Sequence, residues 1–400
     1  MHFTGDIHAI TTANNLLASI IDNHIFQGNE LNIKPETICH ERCMDLNDRS
    51  LRMVNINGQE THFNISTASE FMALLCLSKN ETDLKERIGN VLVGFTYENK
   101  PVFAKDLNCV NSLFLLLKHA IKPNVVTTLE KNLALVHGGP FANIAHGTNS
   151  VISTQYALHH FDYTIVEAGF GSDMGALKFY DIVTRQNKNF IPDVVVLNTT
   201  VQSLKHNGDG NLESGIVNLD YHIETMCKYT NHLLVVLNKH DTDTELEIKY
   251  IKHHVEEKGI PFNISTGFLK GSVGSIDVAE KIVELAKEQP KEVVYPYKVE
   301  EDLQTKIEKF CKINYGTKEI LYTEEAKEKV KLLQDFKLPI CIAKTQYSIT
   351  DNREVLGYPK DFTMNIKEIK LFHGAGFITI YFGNILTMPG LSKDANYLHM

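Results

Sequence analysis

The chain contains no tryptophan. Any ring-stacking surface must therefore be built from smaller aromatic side chains. Runs of basic residues are missing too: 40 Lys and Arg stand dispersed against 49 Asp and Glu, for a net charge of −9. This excludes the basic stripe of a nucleic-acid-binding surface, but leaves room for the local positive field that a small anionic substrate needs. No apolar run reaches membrane-spanning length, and the first residues lack the pattern of a secretory signal. Cysteine is sparse. The seven are odd in number and scattered, which reads as reduced thiols in a cytoplasmic protein. Cys39-His40-Glu41-Arg42-Cys43 carries half of a zinc-site spacing, but no second pair follows, so no metal site is expected. There is no internal repeat, no low-complexity tract, and no G-x-x-x-x-G-K-[ST] phosphate loop among the 400 residues.

What is present suffices for sizeable cores: 43% of residues are hydrophobic, and the length suggests two or three domains. The organising stretch runs from His137 to Gly175. Val151 to His159 reads as a helix, entered through a loop that holds Gly147 and Asn149. Asp162 to Val166 reads as a buried strand, followed by Glu167-Ala168-Gly169-Phe170-Gly171 and Ser172-Asp173. In open α/β sheets ligands sit outside the carboxyl ends of strands, which puts Glu167 to Asp173 where chemistry belongs. Gly138, Gly139, Gly169 and Gly171 let backbone approach a bound group without a Cβ clash. The alternative is two tight turns with structural glycines. His137 and His146 flank the first loop; with no third ligand indicated, hydrogen-bonded structural histidines are favoured over a metal pair.

HGGPFANIAHG followed by VEAGFGSDMGALKFYDI resembles the formate–tetrahydrofolate ligase (10-formyltetrahydrofolate synthetase) family. The likeness extends through HFTGDIHAITTANNLLASIIDNHIFQGNELNI, MDLNDRSLR, ISTASEFMALLCLS, DLKERIG and HAIKPN. It returns at LPICIAKTQYSITDN and GAGFITIYFGNILTMPGL, in family order over nearly the whole chain. The resemblance implies an α/β fold with a mostly parallel sheet of the P-loop NTPase-like, Rossmann-like type, truncated at its N-terminus. Residues 1–215 would be the remainder of the nucleotide and formate domain, 216–296 a second α/β domain on the folate side, and 297–400 a C-terminal α+β domain. The implied reaction joins formate to N10 of tetrahydrofolate at the expense of ATP with Mg²⁺, through formyl phosphate. A monovalent cation and a cytoplasmic homo-oligomer belong to the same expectation, with small-molecule substrates and neither nucleic acid nor membrane as partners.

The resemblance places Asp6 at the active site, where capping the following helix is its alternative role. It places Gly138, Gly139, Asn143, Glu167, Lys205 and Lys344 on the nucleotide or phosphate side. Phe170, Gly171, His240, Asp241 and Phe268 fall on the folate side. Departures from the family pattern matter here. The family's glycine-rich phosphate loop has no counterpart, so the chain alone is expected to be weak or inactive. The alternative function is a non-catalytic binding or assembly subunit that needs a separate phosphate-loop fragment. His240-Asp241 stands where the family has Phe-Pro, and Phe268 where it has tryptophan. Stacking on a pterin thus loses a ring and a proline wall and gains a carboxylate, so folate affinity is expected to fall. Asn238-Lys239-His240-Asp241 also resembles the guanine-reading motif of GTPases, a weak reading without a phosphate loop.

Elsewhere the sequence predicts a helix that starts at Thr11 to Asn15, with a stripe of Leu16, Leu17, Ile20 and Ile21. Asp193 to Val201 reads as a buried parallel strand. Strands are expected at Leu338 to Ala343, Phe362 to Ile369 and Phe377 to Phe382. Residues 1–6 read as a strand end running into a turn, and Lys393 to Met400 as a frayed tail.

Overall fold

Three- and four-residue spacing of apolar side chains builds the first helix, Asp6–Phe26, which buries Ile10, Ala13, Leu17, Ala18 and Ile21. Asn14 shares the buried face because its side-chain amide donates to the Glu41 carbonyl at 2.9 Å. The computed structural model describes residues 5–56 and 58–394; the strand end expected over residues 1–4 and the tail beyond residue 394 lie outside them. Packing divides the chain into two units. The first is Met1–Gly169 with Leu338–Ala343 and Ile369–Met400; the second is Phe170–Lys337 with Lys344–Glu368.

The fold is α/β, with helices around small parallel and antiparallel sheets. Among the described residues the sheets hold two to four strands each. In the first unit the helix Glu70–Leu77, capped by Ser69, is buried along almost its whole length. The hairpin Asn124–Thr127 and Leu133–Val136 pairs antiparallel. Ile340–Ala343 pairs in parallel with Phe377–Phe382, and both strands are buried. Ala343 and Tyr381 join Ala68 and Ile144 in one apolar cluster, so residues distant in sequence share a core.

Two polar clasps reinforce that closure within the first unit. Glu41 accepts from Lys370 Nζ at 2.8 and 3.1 Å, with His62 at 3.2 Å. Burial pushes its carboxyl up, but the Lys370 ammonium and His62 outweigh this and hold it well below the usual carboxylate range. Glu70 accepts from the amides of Gly374 at 2.7 Å and Ala375 at 3.2 Å. Here burial outweighs both hydrogen bonds and pushes the carboxyl up to about 8. The folded state then keeps a proton that the unfolded chain releases near pH 4.5. The associated stability is complete below that value and is lost as pH rises through about 8. Urea midpoints at pH 5 and pH 9 are expected to show this decline, and Glu70→Gln to flatten it. Equal slopes in the two proteins would contradict the assignment.

In the second unit Val195–Thr199, Leu233–Asn238 and Phe262–Ser265 form a three-stranded parallel sheet with Leu233–Asn238 at its centre. The central strand is almost wholly buried. Val195–Thr199 is an edge strand with Val196 exposed, so the fully buried strand expected at Asp193 to Val201 is only half covered. The helices Val201–Asn207 and Leu212–Tyr229 approach closely at Gly215, where a Cβ would overlap the Leu204 carbonyl. A π-helical turn, Phe179–Thr184, carries Asp181 toward Arg185 at 2.8 Å, with the Tyr297 hydroxyl donating to the same carboxyl group. Arg185 lies over the rings of Tyr295 and Tyr297, 4.0 and 4.4 Å from their centroids. Glu319–Tyr322 pairs in parallel with the first half of Thr363–Phe372.

Candidate functional site

The helix Val151–His160 is set by Ser150, whose hydroxyl accepts from the Ser153 amide at 3.0 Å. The same hydroxyl meets His137 Nδ1 at 2.7 Å, while His137 Nε2–H donates to the Ala120 carbonyl at 2.6 Å. Burial lowers the His137 pKa and the carbonyl opposes it only in part, so the ring stays neutral. His137 is the hydrogen-bonded structural histidine that its surroundings in sequence suggest. Among the described residues no group of three or more His, Cys, Asp or Glu side chains converges as a metal site, and the seven cysteines are free thiols.

The two glycine loops meet. The Gly169 amide donates to the Gly147 carbonyl at 2.9 Å, and a Cβ at either glycine would press on Ala142 Cβ, at 2.7 Å from Gly147 and 2.9 Å from Gly169. Gly147 also sits at φ +62°, a conformation that other residues rarely adopt. Together the loops line an open cavity of about 410 Å³, with Gly138, Gly139, Gly147, Thr148, Glu167 and Gly169 in its wall. That volume lies within the range of small-molecule sites. Glu167 is exposed.

Asp6 stands behind this wall. It is buried, and its Oδ2 accepts from the Gly138 amide at 3.0 Å and from Asn124 Nδ2 at 3.5 Å. Its expected alternative as a helix cap does not hold: the cap position is Gly5, with no side-chain hydrogen bond. The Gly139 amide turns to Met72 Sδ at 3.1 Å. Both glycines thus bring backbone close to the cavity while their N–H groups serve the protein. Asn143 is buried in the same loop and is not part of the cavity lining.

The strand expected at Asp162 to Val166 does not form. Residues 162–168 have no regular secondary structure and no ladder partner among the described residues, and Tyr163 and Ile165 are exposed. An extended apolar segment becomes a strand only when a neighbour takes its backbone groups.

The remaining predicted residues lie in the second unit. Lys344 is fully buried, with its Nζ 2.5 Å from Asp173 Oδ2 and donating also to the Ser348 carbonyl. The Asp173 carbonyl accepts from the Tyr315 hydroxyl at 2.9 Å. Burial pushes the Asp173 carboxyl up, but Lys344 and His222 outweigh it and leave it lowered. Lys205 sits on the helix Val201–Asn207 and pairs with Glu247, whose carboxyl is lowered to about 2 by Lys205 and Thr244. His240 and Phe268 come together, ring centroids 5.6 Å apart and tilted by 43°. Phe268 is 76% exposed, so this aromatic pair presents a face to solvent, with Asp241 exposed beside it. Phe170 is half exposed at φ +65°, and a Cβ on Gly171 would overlap Asp173. Sequence reading did not find Asp173 as the partner of Lys344, nor the 2.7 Å contact between Ser172 Oγ and His222 Nδ1. Neither pair has a local spacing signature.

A family profile described as formate–tetrahydrofolate ligase matches residues 1–400. The formate–tetrahydrofolate ligase of Caldicellulosiruptor saccharolyticus is 46% identical over 423 residues, which take in 100% of this chain and 76% of that protein. Proteins of the same name from Lactobacillus delbrueckii subsp. bulgaricus and Campylobacter concisus are 48% and 44% identical. Each match covers 98% of this chain, with 74% and 75% of the respective relative.

Proposed function

Because the chain belongs to the formate–tetrahydrofolate ligase family, we propose that it contributes formate- and folate-side walls to the ATP-dependent synthesis of 10-formyltetrahydrofolate. In this reaction formate attacks the γ-phosphorus of ATP and ADP leaves. The N10 amine of tetrahydrofolate then attacks the formyl carbon of formyl phosphate, and inorganic phosphate departs. The protein's task is to hold three ligands in line and to offset phosphate charge. The observation that carries the reading is the cavity where the two glycine loops are tied together within a chain matched to the family from end to end.

In this reading Gly138 and Gly139 act by shape, and Asp6 positions them through the Gly138 amide. Glu167 faces the ligand from the rim. Mg²⁺ enters with ATP as part of the substrate, as is usual for a cation held by phosphates and few carboxylates. His240 and Phe268 offer the pterin a tilted aromatic face in place of a deeper slot. The phosphates need donors beyond the two glycine amides, because those serve Asp6 and Met72. A polypeptide of these 400 residues, with no phosphate-loop run among them, therefore depends on a triphosphate cradle from other residues.

Formate, MgATP and tetrahydrofolate in a coupled assay test this. The isolated 400-residue polypeptide is expected to give negligible turnover, and tetrahydrofolate to give a calorimetric binding signal that Phe268→Ala weakens by about 2- to 10-fold, one aromatic contact. Clear turnover by this polypeptide alone removes the dependence on an outside cradle. No tetrahydrofolate binding removes the folate wall and leaves the assembly-subunit reading.

A further inference from the structure

Among the polar contacts of the second unit, one joins a nucleophile to a base: Ser172 Oγ lies 2.7 Å from His222 Nδ1. Both side chains come from fixed backbone. The Gly171 carbonyl accepts from the amides of Met174 at 3.0 Å and Gly175 at 2.9 Å, and the Ser172 carbonyl accepts from the Leu177 amide at 3.1 Å. His222 rides on the helix Leu212–Tyr229 between Tyr221 and Ile223, both buried. Gly171 leaves the pair uncovered, since a Cβ there would lie 2.4 Å from Asp173 Oδ1 and 3.4 Å from His222 Cε1. Gly171 is exposed, and Ser172 and His222 are half-buried, so solvent reaches them. Burial lowers the His222 pKa; Asp173 opposes this and Lys344 adds to it, so the ring is neutral and one of its nitrogens can take up a proton. A serine hydroxyl within hydrogen-bond reach of a neutral imidazole has the arrangement of an activated nucleophile.

We propose that Ser172 is a nucleophile toward small activated acyl groups, with His222 as its general base. The substrate class is an ester of a short carboxylic acid with a flat aromatic leaving group. Ser172 is half-buried, which admits a short acyl chain. Phe170, two residues earlier and 48% exposed, offers a ring face to the leaving group. In the first step the Ser172 hydroxyl proton passes to His222 Nδ1 while Oγ bonds to the carbonyl carbon. The ester C–O bond breaks, and the imidazolium returns the proton to the departing phenol oxygen. In the second step His222 takes a proton from water, the hydroxide oxygen bonds to the acyl carbon, and Ser172 Oγ leaves with that proton. Ester and water thus become carboxylic acid and phenol, with no change of oxidation state. The activity stands apart from ligation and needs neither ATP nor tetrahydrofolate.

The test treats the 400-residue protein with p-nitrophenyl acetate and, separately, with phenylmethanesulfonyl fluoride. Release of nitrophenol is expected to coincide with an acetyl group on Ser172, read by peptide mass spectrometry, and the sulfonyl fluoride is expected to mark the same residue. Ser172→Ala is expected to remove both adducts. His222→Gln, which keeps a polar side chain but no base, is expected to slow acylation of Ser172 by about 100-fold with circular dichroism unchanged. A hydrogen bond that serves structure alone would shift the urea midpoint of His222→Gln and leave Ser172 unmodified in the parent. Should a variant fail to fold, competition within the parent decides. Ser203 is exposed, and its hydroxyl donates to the Thr200 carbonyl at 2.9 Å with no base beside it. Sulfonylation of Ser172 at least 10-fold faster than of Ser203 upholds the inference. Equal rates at the two serines, adducts confined to other residues, or undiminished acylation in a folded His222→Gln protein would overturn it.

Discussion

Lys344→Met is expected to cost the second unit about 3–5 kcal/mol, because it strands a buried carboxylate without its cation. Asp173 keeps 7% of its surface, and Lys344 none. Besides losing the 2.5 Å ion pair, the variant leaves the Ser348 carbonyl without its ammonium donor. The double replacement Asp173→Asn with Lys344→Met removes both charges and is expected to recover part of the loss. The lowered Asp173 carboxyl adds a pH signature. Its stabilisation is present above the unfolded value of 3.8 and fades as pH falls through the lower folded value. Parent protein is therefore expected to lose this increment in acid, and Lys344→Met to have no such increment to lose. With no tryptophan to report, urea unfolding is best followed by circular dichroism, and hydrogen exchange assigns the loss to the second unit. A Lys344→Met protein within 1 kcal/mol of the parent, or a double variant no better than the single, would remove the pair from the interior's support.

Gly138→Ala is expected to be nearly as costly, about 2–5 kcal/mol, for two separable reasons. Gly138 sits at φ +63°, where a side chain costs about 1–2 kcal/mol. Its Cβ would overlap the sulfur of Cys76, a fully buried residue of the helix Glu70–Leu77, and overpacking of that kind costs about 1–3 kcal/mol. Cys76→Ala removes the sulfur but not the backbone strain. In a double-mutant cycle it should rescue the steric part alone, a coupling of about 1–3 kcal/mol. Because Gly138 also lines the cavity and holds Asp6 through its amide, the site is expected to deform along with the loss. Additive single costs, or a Gly138→Ala protein as stable as the parent, would show that the loop yields freely.

These two residues mark what the sequence could and could not disclose. Local period was legible. The body of the first helix and the strands Ile340–Ala343, Thr363–Phe372 and Phe377–Phe382 lie close to where spacing puts them, although the helix begins at Asp6 and not at Thr11, and His137 is hydrogen-bonded as its surroundings suggest. The glycines were legible as points of close backbone approach, but not that the Gly169 amide would meet the Gly147 carbonyl. Partners far along the chain were not. Asp6 meets Gly138 across 132 positions and Lys344 meets Asp173 across 171, and no spacing rule reaches that far. The segment 162–166 shows the same limit from the other side. Its Tyr-Thr-Ile-Val composition favours a strand, whereas forming one depends on a neighbour that composition does not name. Lys205, read from the sequence as a charge for a phosphate, is held by Glu247, a partner 42 positions on that no local spacing names.

The clasp between Glu70 and the turn at Gly374-Ala375 sets a timetable for biosynthesis. The first unit needs Ile340–Ala343 and Phe377–Phe382 for its apolar cluster, so its leading 169 residues leave the ribosome long before their core can close. At about 5–20 residues per second, translating residues 170–337 imposes a wait on the order of 10–30 s. Throughout that interval Ala68 and Ile144 lack the cover of Ala343 and Tyr381, and the nascent first unit stays exposed to aggregation until residues 369–382 emerge.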